Sequence, residues 1–520
     1  MSSMKRLKYM VIAAIVGGVC FMSSCKNPDS ELMLRPSFAG NQGIYYEIYV
    51  GSFADSNGDG IGDLPGLTHK LNYLKELGIT GIWLMPIHPS PSYHKYDITD
   101  YYAIDPQYGT QEDFENLIAK AKEYDIHIIM DMVFDGTSNA HPWFKAAVKG
   151  DETYRDYYIW YNENPDAYDL DAKWNQNSVW IPMRGDYYAG IYSRVLPDLN
   201  LQNPAVRDEL KNIASFWLDK GVSGFRLDSV PHLYAPGKIP AGINGRNECL
   251  AWWEEFSAHC RQIKDDVYLV GEILDTTAVR APYVGVLGSS FNFDIAHTIR
   301  SAWQNGNGSM FDRNITGFLE YLSQHGEGYT DAPILSNHDL PRIMHTLDGD
   351  MTAMKLFASM YLTLEGTPFM YYGEELGMRG TTQGGDQGVR TPFLWGMDDE
   401  YMTSSISDSE NAETPPLDVQ MADPESLYSY YKRLIELRLT NEALYNGRFQ
   451  EYDLVSPSLA GYRMVGERQE AVIIHNMDDA PESISPLPDG FTHIFSTDGT
   501  LHKNLDNIEI PPYHSYVFVK

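Results

Sequence analysis

Three acidic residues, Asp228, Glu272 and Asp339, each stand at the C-terminal end of a separate apolar run: Val222 to Asp228, Val267 to Glu272 and Pro333 to Asp339. Two carboxyl groups held close together can cleave a glycosidic bond, one attacking the anomeric carbon and the other protonating the leaving oxygen. Arg226 lies two residues before Asp228, so on a strand both side chains project to the same side. A fixed guanidinium there would keep Asp228 ionised and oriented, although an isolated Arg-x-Asp pair is more often a structural salt bridge. Whichever carboxyl serves as the acid must hold a proton when substrate arrives, which apolar neighbours and the charge of its partner would favour.

Elements must bring these groups together. From Ile44 onward, eight apolar strand-like runs alternate with helical patterns: 44–50, 78–86, 126–134, 222–230, 266–274, 289–294, 331–339 and 366–375. Apolar spacing at three and four predicts helices over Leu67 to Leu77, Phe114 to Ala121, Val206 to Leu218 and Leu250 to Ile263. Eight βα units predict a closed (β/α)₈ barrel, whose strand ends converge on one face and carry the site. The barrel is expected over 41–134 and 206–439. Residues 135–205, rich in Trp and Tyr, are too long for a simple loop and predict an inserted subdomain. After Leu439 short strand-like pieces predict a C-terminal β-sandwich domain over 440–520.

The 520 residues carry a formal net charge of −32, which argues against nucleic acid as a partner and leaves neutral ligands and metal ions. The 36 Tyr and 10 Trp offer faces for sugar rings as well as core. Lys5, Arg6 and Lys8 precede an apolar stretch from Tyr9 to Met22, short for a bilayer span and suited to a signal-peptide core. It runs into Met22-Ser23-Ser24-Cys25, similar to a bacterial lipobox. Residues 1–24 are therefore expected to be removed, Cys25 lipidated and 25–40 to serve as a tether, anchoring the protein in the cell envelope, at the outer-membrane surface or in the periplasm. Cys249 and Cys260 sit eleven residues apart on one helical stretch and are expected to stay free.

Several segments together resemble the α-amylase family of glycoside hydrolases: Gly224-Phe225-Arg226-Leu227-Asp228, Gly271-Glu272, Ser336-Asn337-His338-Asp339, Gly366 to Glu375 and Tyr101 to Thr110. The resemblance implies retaining chemistry on α-linked glucans. By it Asp228 matches the nucleophile, Glu272 the general acid/base, and Asp339 the third carboxylate that holds sugar hydroxyls. His338 matches a hydroxyl-binding histidine and Tyr96 the aromatic that stacks on the reacting sugar. His232 matches a position on the leaving side, although Pro231 replaces the common Lys. Tyr93-His94 resembles the α-amylase form of its motif. Exo-acting relatives tend to carry an acid where Tyr93 stands, so Tyr93 implies an open cleft and internal cleavage. Lys95 stands in place of the usual Gly.

One motif departs from the family. Asp135 replaces an Asn that often ligates calcium, and Gly136 replaces a His that binds the sugar at the cleavage site. Asp135 can still bind calcium through oxygen. Gly136 cannot donate a side-chain hydrogen bond, a loss of about 1.5–3 kcal/mol toward a charged partner, or a roughly ten- to hundredfold slower enzyme. A second calcium candidate is the loop Asp55, Asn57, Asp59, Ile61 and Asp63, similar to half an EF-hand, with Gly66 where its bidentate Glu would stand.

The expectation is thus a retaining, endo-acting α-1,4-glucan hydrolase on starch or malto-oligosaccharides, with calcium as cofactor and a glucan-uptake system as its setting. An α-glucosidase, a cyclomaltodextrinase- or neopullulanase-like enzyme, and a silent glucan-binding protein are the alternatives. The geometric condition is that Asp228 and Glu272 face one another across about 5–5.5 Å.

Overall fold

The computed structural model describes residues 38–520 except 327, 397, 398, 409, 487, 488 and 506. The expected signal segment 1–24, the lipidation site Cys25 and most of the 25–40 tether lie outside the described residues. Phe38 to Gly40, expected as the end of that tether, instead pack on the barrel. His127 Nε2 lies 2.8 Å from the Phe38 carbonyl oxygen, and the Tyr45 hydroxyl donates to Gly40 O at 2.5 Å.

Eight short parallel strands form the barrel: β1 Tyr45–Ile48, β2 Gly81–Leu84, β3 His127–Met132, β4 Gly224–Leu227, β5 Tyr268–Gly271, β6 Ser289–Asn292, β7 Thr330–Pro333 and β8 Phe369–Tyr371. They pair in the order β7-β6-β5-β4-β3-β2-β1-β8. A parallel bridge between Ile334 and Phe369 closes the ring. Each strand falls within or at the edge of an expected run and is shorter than it. Most of the difference lies at the C-terminal ends, where the chain leaves the sheet to build the site. Asp228 and Glu272 stand one residue beyond β4 and β5, whereas Asp339 stands six beyond β7, in a loop rather than on a strand end.

The barrel is filled, not hollow. Tyr45, Trp83, Ile129, Tyr268, Val270, Phe291, Ala332, Ile334 and Phe369 form one buried cluster. Gly224 is required here, because a Cβ at that position would lie 1.8 Å from the Tyr268 carbonyl oxygen. Above this plug the inward position of β4 is Arg226, whose guanidinium carbon lies 5.0 Å from the Trp83 ring centroid.

Helices α1 Leu64–Leu77, α2 Gln111–Glu123, α3 Pro204–Asp219 and α4 Gly245–Ile263 cover the four predicted segments and extend each to its cap. Asp63 caps α1 through Gly66 N, and Thr110 with Asp113 forms a capping box on α2. Cys249 and Cys260 are free and buried on α4. The insertion between β3 and β4 carries two small hairpins, 173–178 and 180–189, around a core of Ile159, Val179, Trp180, Ala189, Ile191 and Ala235.

The C-terminal strands β9 Arg448–Glu451, β10 Leu459–Val465, β11 Glu470–Asn476, β12 Thr492–Ser496 and β13 Ser515–Val519 form one antiparallel sheet in the order β9-β10-β11-β13-β12. One face joins the main core through Ala460, Tyr462, Met464, Ile473 and Val517. The other packs Leu459, Val472, Ile474, Tyr516 and Phe518 against Ile510 of a two-residue ribbon and Ile484 just past its first strand. Among the described residues no helix is long and apolar enough to cross a membrane.

Candidate active site

A cleft of about 560 Å³ opens at the C-terminal end of the barrel. Asp228, Glu272, Asp339, Tyr96, His94, His232 and Asp135 all line it. Arg226 lies beneath, with no exposed side-chain surface. Tyr93 stands at the rim, bonded to the lining residue Asp386. The metal candidates Asp55, Asn57, Asp59, Ile61 and Asp63 do not line the cleft; they form the turn that leads into α1.

Arg226 organises the floor. Its Nη1 donates to Asp131 Oδ1 at 2.8 Å and to Asp228 Oδ1, and its Nη2 makes an ion-pair contact with Glu272 Oε1 at 2.9 Å. One guanidinium therefore holds Asp228 and Glu272 in the same cavity, as the pairing of nucleophile and acid requires. Burial pushes the Asp228 carboxyl well above its usual range. Arg226 pulls it back, and the charges of Glu272, Asp131 and Asp135 add to the rise. Burial raises Asp131 as well, against the pull of Arg226. Arg226 thus sits against the carboxyls of Asp131, Asp228 and Glu272 together.

Ser229 positions Glu272. It follows Asp228 in the left-handed region, φ 48°, unusual for a residue with a side chain. That conformation directs its N–H to Glu272 Oε2 at 3.0 Å. The Tyr192 hydroxyl, from the insertion, donates to Ser229 Oγ at 2.9 Å and ties the subdomain to this turn.

On the other side of Asp228 the sugar-binding candidates form a second charged group. The Tyr96 hydroxyl donates to Asp131 Oδ2 at 3.0 Å and lies 2.7 Å from His338 Nε2. His338 Nδ1 meets Glu47 Oε1 at 2.5 Å, and Nε2 lies 3.0 Å from Asp339 Oδ2. Burial opposes a charged imidazole, but Asp339 and Glu47 outweigh it and raise His338 to about 10. Asp339 is held well below the usual carboxylate range: burial works against that, and His338 and then Arg390 overcome it. Arg390 Nη2 lies 2.9 Å from Asp339 Oδ1. Half of the Asp339 side chain is exposed, so its carboxylate remains open to a ligand.

His94 accepts the Tyr96 N–H on Nδ1 at 3.1 Å, and burial lowers its titration, so it presents a neutral ring to the cleft. The His232 ring packs 4.9 Å from Trp174 of the first hairpin, and burial and then Lys238 lower it too. Lys95 takes the left-handed conformation, φ 65°, that explains a glycine preference there. It buries its side chain in an ion pair with Asp105 at 2.7 Å, away from the cleft.

The departing motif has a structural reason. A Cβ at Gly136 would lie 2.7 Å from the Pro197 carbonyl oxygen, so this backbone leaves no room for a histidine. Burial raises Asp135 to about 6; Lys238 pulls it down and Asp198 pushes it up. Lys238 has no exposed side-chain surface and its Nζ sits 3.5 Å from Asp198 Oδ1. An ammonium therefore supplies the positive charge beside Asp135. In the 55–63 loop the Asp55 oxygens accept the N–H groups of Asn57, Gly58 and Gly60, and Asp63 serves Ser56, Asn57 and Gly66. Among the described residues no three His, Cys, Asp or Glu side chains converge to hold a metal ion. The donor chemistry suits calcium, and the Asp55 and Asp63 oxygens that would hold it also accept from the loop's own main-chain and side-chain donors.

Sequence reasoning passed over Glu47, Asp131, Ser229, Asp386 and Arg390 as site residues. Asp131 was within reach, as the first residue of the altered motif. The others are joined by contacts up to 297 residues apart.

Paired carboxyls above a buried arginine, at the C-terminal mouth of a (β/α)₈ barrel, define a carbohydrate-cleaving type of site. The description "Alpha amylase, catalytic domain" matches residues 47–447. The chain is 41% identical over 444 residues to Alpha-amylase 3 of Dictyoglomus thermophilum, covering 84% of each protein. It is 31% identical to a 4-alpha-glucanotransferase of Thermotoga maritima, over 84% of this chain and 95% of that one. The crystal structure of alpha-amylase from H. orenii matches with a TM-score of 0.84 at 36% identity, over 92% of this chain and 99% of that chain. The protein belongs to the α-amylase family of glycoside hydrolases.

Proposed function

We propose that the protein is a retaining hydrolase of α-1,4-linked glucans, acting on starch or malto-oligosaccharides. The observation that carries this reading is the single buried guanidinium of Arg226 in contact with both Asp228 and Glu272. Asp228 attacks the anomeric carbon as the bond to the leaving oxygen breaks, and Glu272 gives that oxygen its proton. The sugar is then esterified to Asp228. Glu272, now a carboxylate, takes a proton from water; the hydroxide adds to the anomeric carbon, freeing Asp228 and restoring the acid. Asp339 and the charged His338 hold hydroxyls of the reacting sugar, with the Tyr96 ring against its face. The proposal includes internal cleavage, which the Tyr93-His94 form of its motif supports; an early mixture of oligosaccharides from starch is expected, and glucose as the sole early product would refute it.

The test is Asp228→Asn, which removes the nucleophile and keeps the shape. Starch hydrolysis should fall by roughly a thousandfold or more with an unchanged circular dichroism spectrum. Turnover near the wild-type rate would end the reading. The similarity to a glucanotransferase favours a second outcome worth measuring, in which a sugar hydroxyl replaces water in the second step. Longer oligosaccharides appearing in a maltotriose digest would reveal it.

The same proposal includes calcium at the 55–63 loop and a lipid on Cys25 that anchors the protein in the cell envelope beside a glucan-uptake system. The alternating oxygen donors and the lipobox-like Met22-Ser23-Ser24-Cys25 support these parts. Mass spectrometry of the mature N-terminus, with Cys25→Ala as control, tests the anchor: an unmodified Cys25 in the membrane fraction would refute it.

A further inference from the structure

The two oxygens of Glu272 stand in different surroundings. Oε1 is in ion-pair contact with Arg226 Nη2 at 2.9 Å, on the buried floor beneath the cleft. Oε2 accepts the Ser229 N–H at 3.0 Å, and Ser229 lines the cleft. A full positive charge favours the oxygen that keeps its lone pairs. A neutral amide tolerates a hydroxyl oxygen, which accepts one bond while donating another. The proton of the acid form therefore belongs on Oε2, the oxygen on the cleft side. Where that proton points depends on what holds Oε2, and that is the Ser229 turn.

The turn is held in its own way. Its backbone at Ser229 is left-handed, φ 48° and ψ 40°, a conformation that a Cβ opposes. Two main-chain bonds span it: the His232 N–H donates to Ser229 O at 2.9 Å, and the Val230 N–H to Glu272 O at 3.2 Å. One side-chain bond arrives from the insertion, where the Tyr192 hydroxyl donates to Ser229 Oγ at 2.9 Å from 37 residues away. Tyr192 stands on a braced segment. Ile191 before it is buried in the insertion core and donates its N–H to Asp198 Oδ2 at 3.1 Å. Beyond it the Leu196 N–H returns to Ser193 O at 2.9 Å. A phenol is also a better donor than a serine hydroxyl, so the bond runs in the stronger direction.

We infer that Tyr192 is a positioning residue for proton transfer: through Ser229 Oγ it fixes the left-handed turn whose N–H holds Glu272 Oε2, and so aims the proton on Oε2 at the leaving oxygen. In the first step the Oε2–H bond breaks and its electron pair stays on the carboxylate. The proton joins the leaving oxygen as that oxygen's bond to the anomeric carbon breaks. Without the Tyr192 bond the turn relaxes, its N–H swings from Oε2, and the proton loses its aim. The loss falls on bonds whose leaving oxygen needs a proton and spares leaving groups that depart as stable anions. This rests on the roles of Asp228 and Glu272 proposed above.

The test is a series of aryl α-maltosides with leaving groups graded in acidity, from phenol to 2,4-dinitrophenol. The readout is kcat/KM for the wild type, Tyr192→Phe and Ser229→Ala. Loss of one neutral hydrogen bond is worth roughly three- to tenfold, so Y192F and S229A should each lose about that much on the phenyl maltoside and less than about twofold on the dinitrophenyl one. The double variant should lose no more than either alone, because both changes break the same link. Equal losses along the series would make Tyr192 a structural or sugar-binding residue, and no loss anywhere would leave it without a role; either result overturns the inference. So do losses that multiply in the double variant. If Y192F fails to fold, S229A decides alone. E272Q is run alongside: a steep dependence on leaving-group acidity there upholds Glu272 as the acid even if Tyr192 fails, and a flat one refutes the role on which the inference rests.

Discussion

Replacing Glu47 by Gln should move the alkaline limit of activity without touching the substrate. Glu47 has no exposed side-chain surface and meets His338 Nδ1 at 2.5 Å. Gln keeps an oxygen that can accept this hydrogen bond and removes the charge. His338 titrates near 10 because Asp339 and Glu47 together overcome its burial. Removing one opposite charge at contact range shifts a titration by roughly one to three pH units, so His338 in E47Q should titrate near about 8. Its charged form gives one N–H to position 47 and the other to Tyr96 and Asp339. At pH 9 roughly nine in ten imidazoles would then be neutral in the variant, against about one in ten in the wild type. The assay is kcat/KM on a malto-oligosaccharide from pH 6 to 10. The wild type should change little between pH 7 and 9, and E47Q should lose roughly tenfold over the same span. Stability follows the same sign. A raised histidine stabilises the fold fully below about 6.5, and that contribution is lost as pH rises through 10 in the wild type and through about 8 in E47Q. Coincident pH–rate profiles for the two proteins would refute the charge coupling of Glu47, His338 and Asp339.

Three further predictions address other parts of the molecule. Glu374 is fully buried, accepts from Tyr361 and Tyr431 at 2.7 and 2.9 Å, and is raised to about 8 by burial. The unfolded chain ionises first, so this group's contribution is full below about 4.5 and is lost as pH rises through 8, on the order of 4–5 kcal/mol. E374Q should be flatter in thermal unfolding across that window, and parallel Tm–pH curves would contradict this. Loading the 55–63 loop with calcium at a hundred times its Kd should add about 2.7 kcal/mol, a rise of a few degrees in Tm that EDTA reverses and Asp55→Asn abolishes. No calcium response in the wild type would remove the cofactor from the proposal. Lys238→Met would leave Asp135 and Asp198 without their buried cation and should cost about 3–5 kcal/mol. An unfolding midpoint equal to that of the wild type would show that the ammonium does not balance those acids.

Much of the barrel was legible because its strands are short, buried and mostly apolar, and because α1 to α4 carry a clear apolar stripe. Asp228 and Glu272 were legible for the same reason, since each ends such a run. Asp339 was legible as a residue but not as a position, because Ile334-Leu335 continues the apolar run past the end of β7. What stayed hidden is what depends on contacts between distant loops. No local pattern says that Glu47, in the middle of a buried strand, is the partner of His338, or that Tyr93 reaches Asp386. The resemblance offered Asp135 as a calcium ligand, and no local pattern says that Lys238 stands beside it. Gly136 looked like a lost sugar contact, and the Pro197 carbonyl shows why no side chain fits there. Lys95 left the shape of the binding loop open until its buried pair with Asp105 could be seen.

Trapping the covalent intermediate tests the central claim most directly. An activated fluorosugar with an α-fluoride leaving group needs no acid in the first step, so Glu272→Gln should form the glycosyl-enzyme and fail to release it. Peptide mass spectrometry should then find one sugar on the peptide containing Asp228, attached at that residue. A sugar on any other side chain, or turnover that leaves none on the protein and yields a product of inverted configuration, would contradict the account.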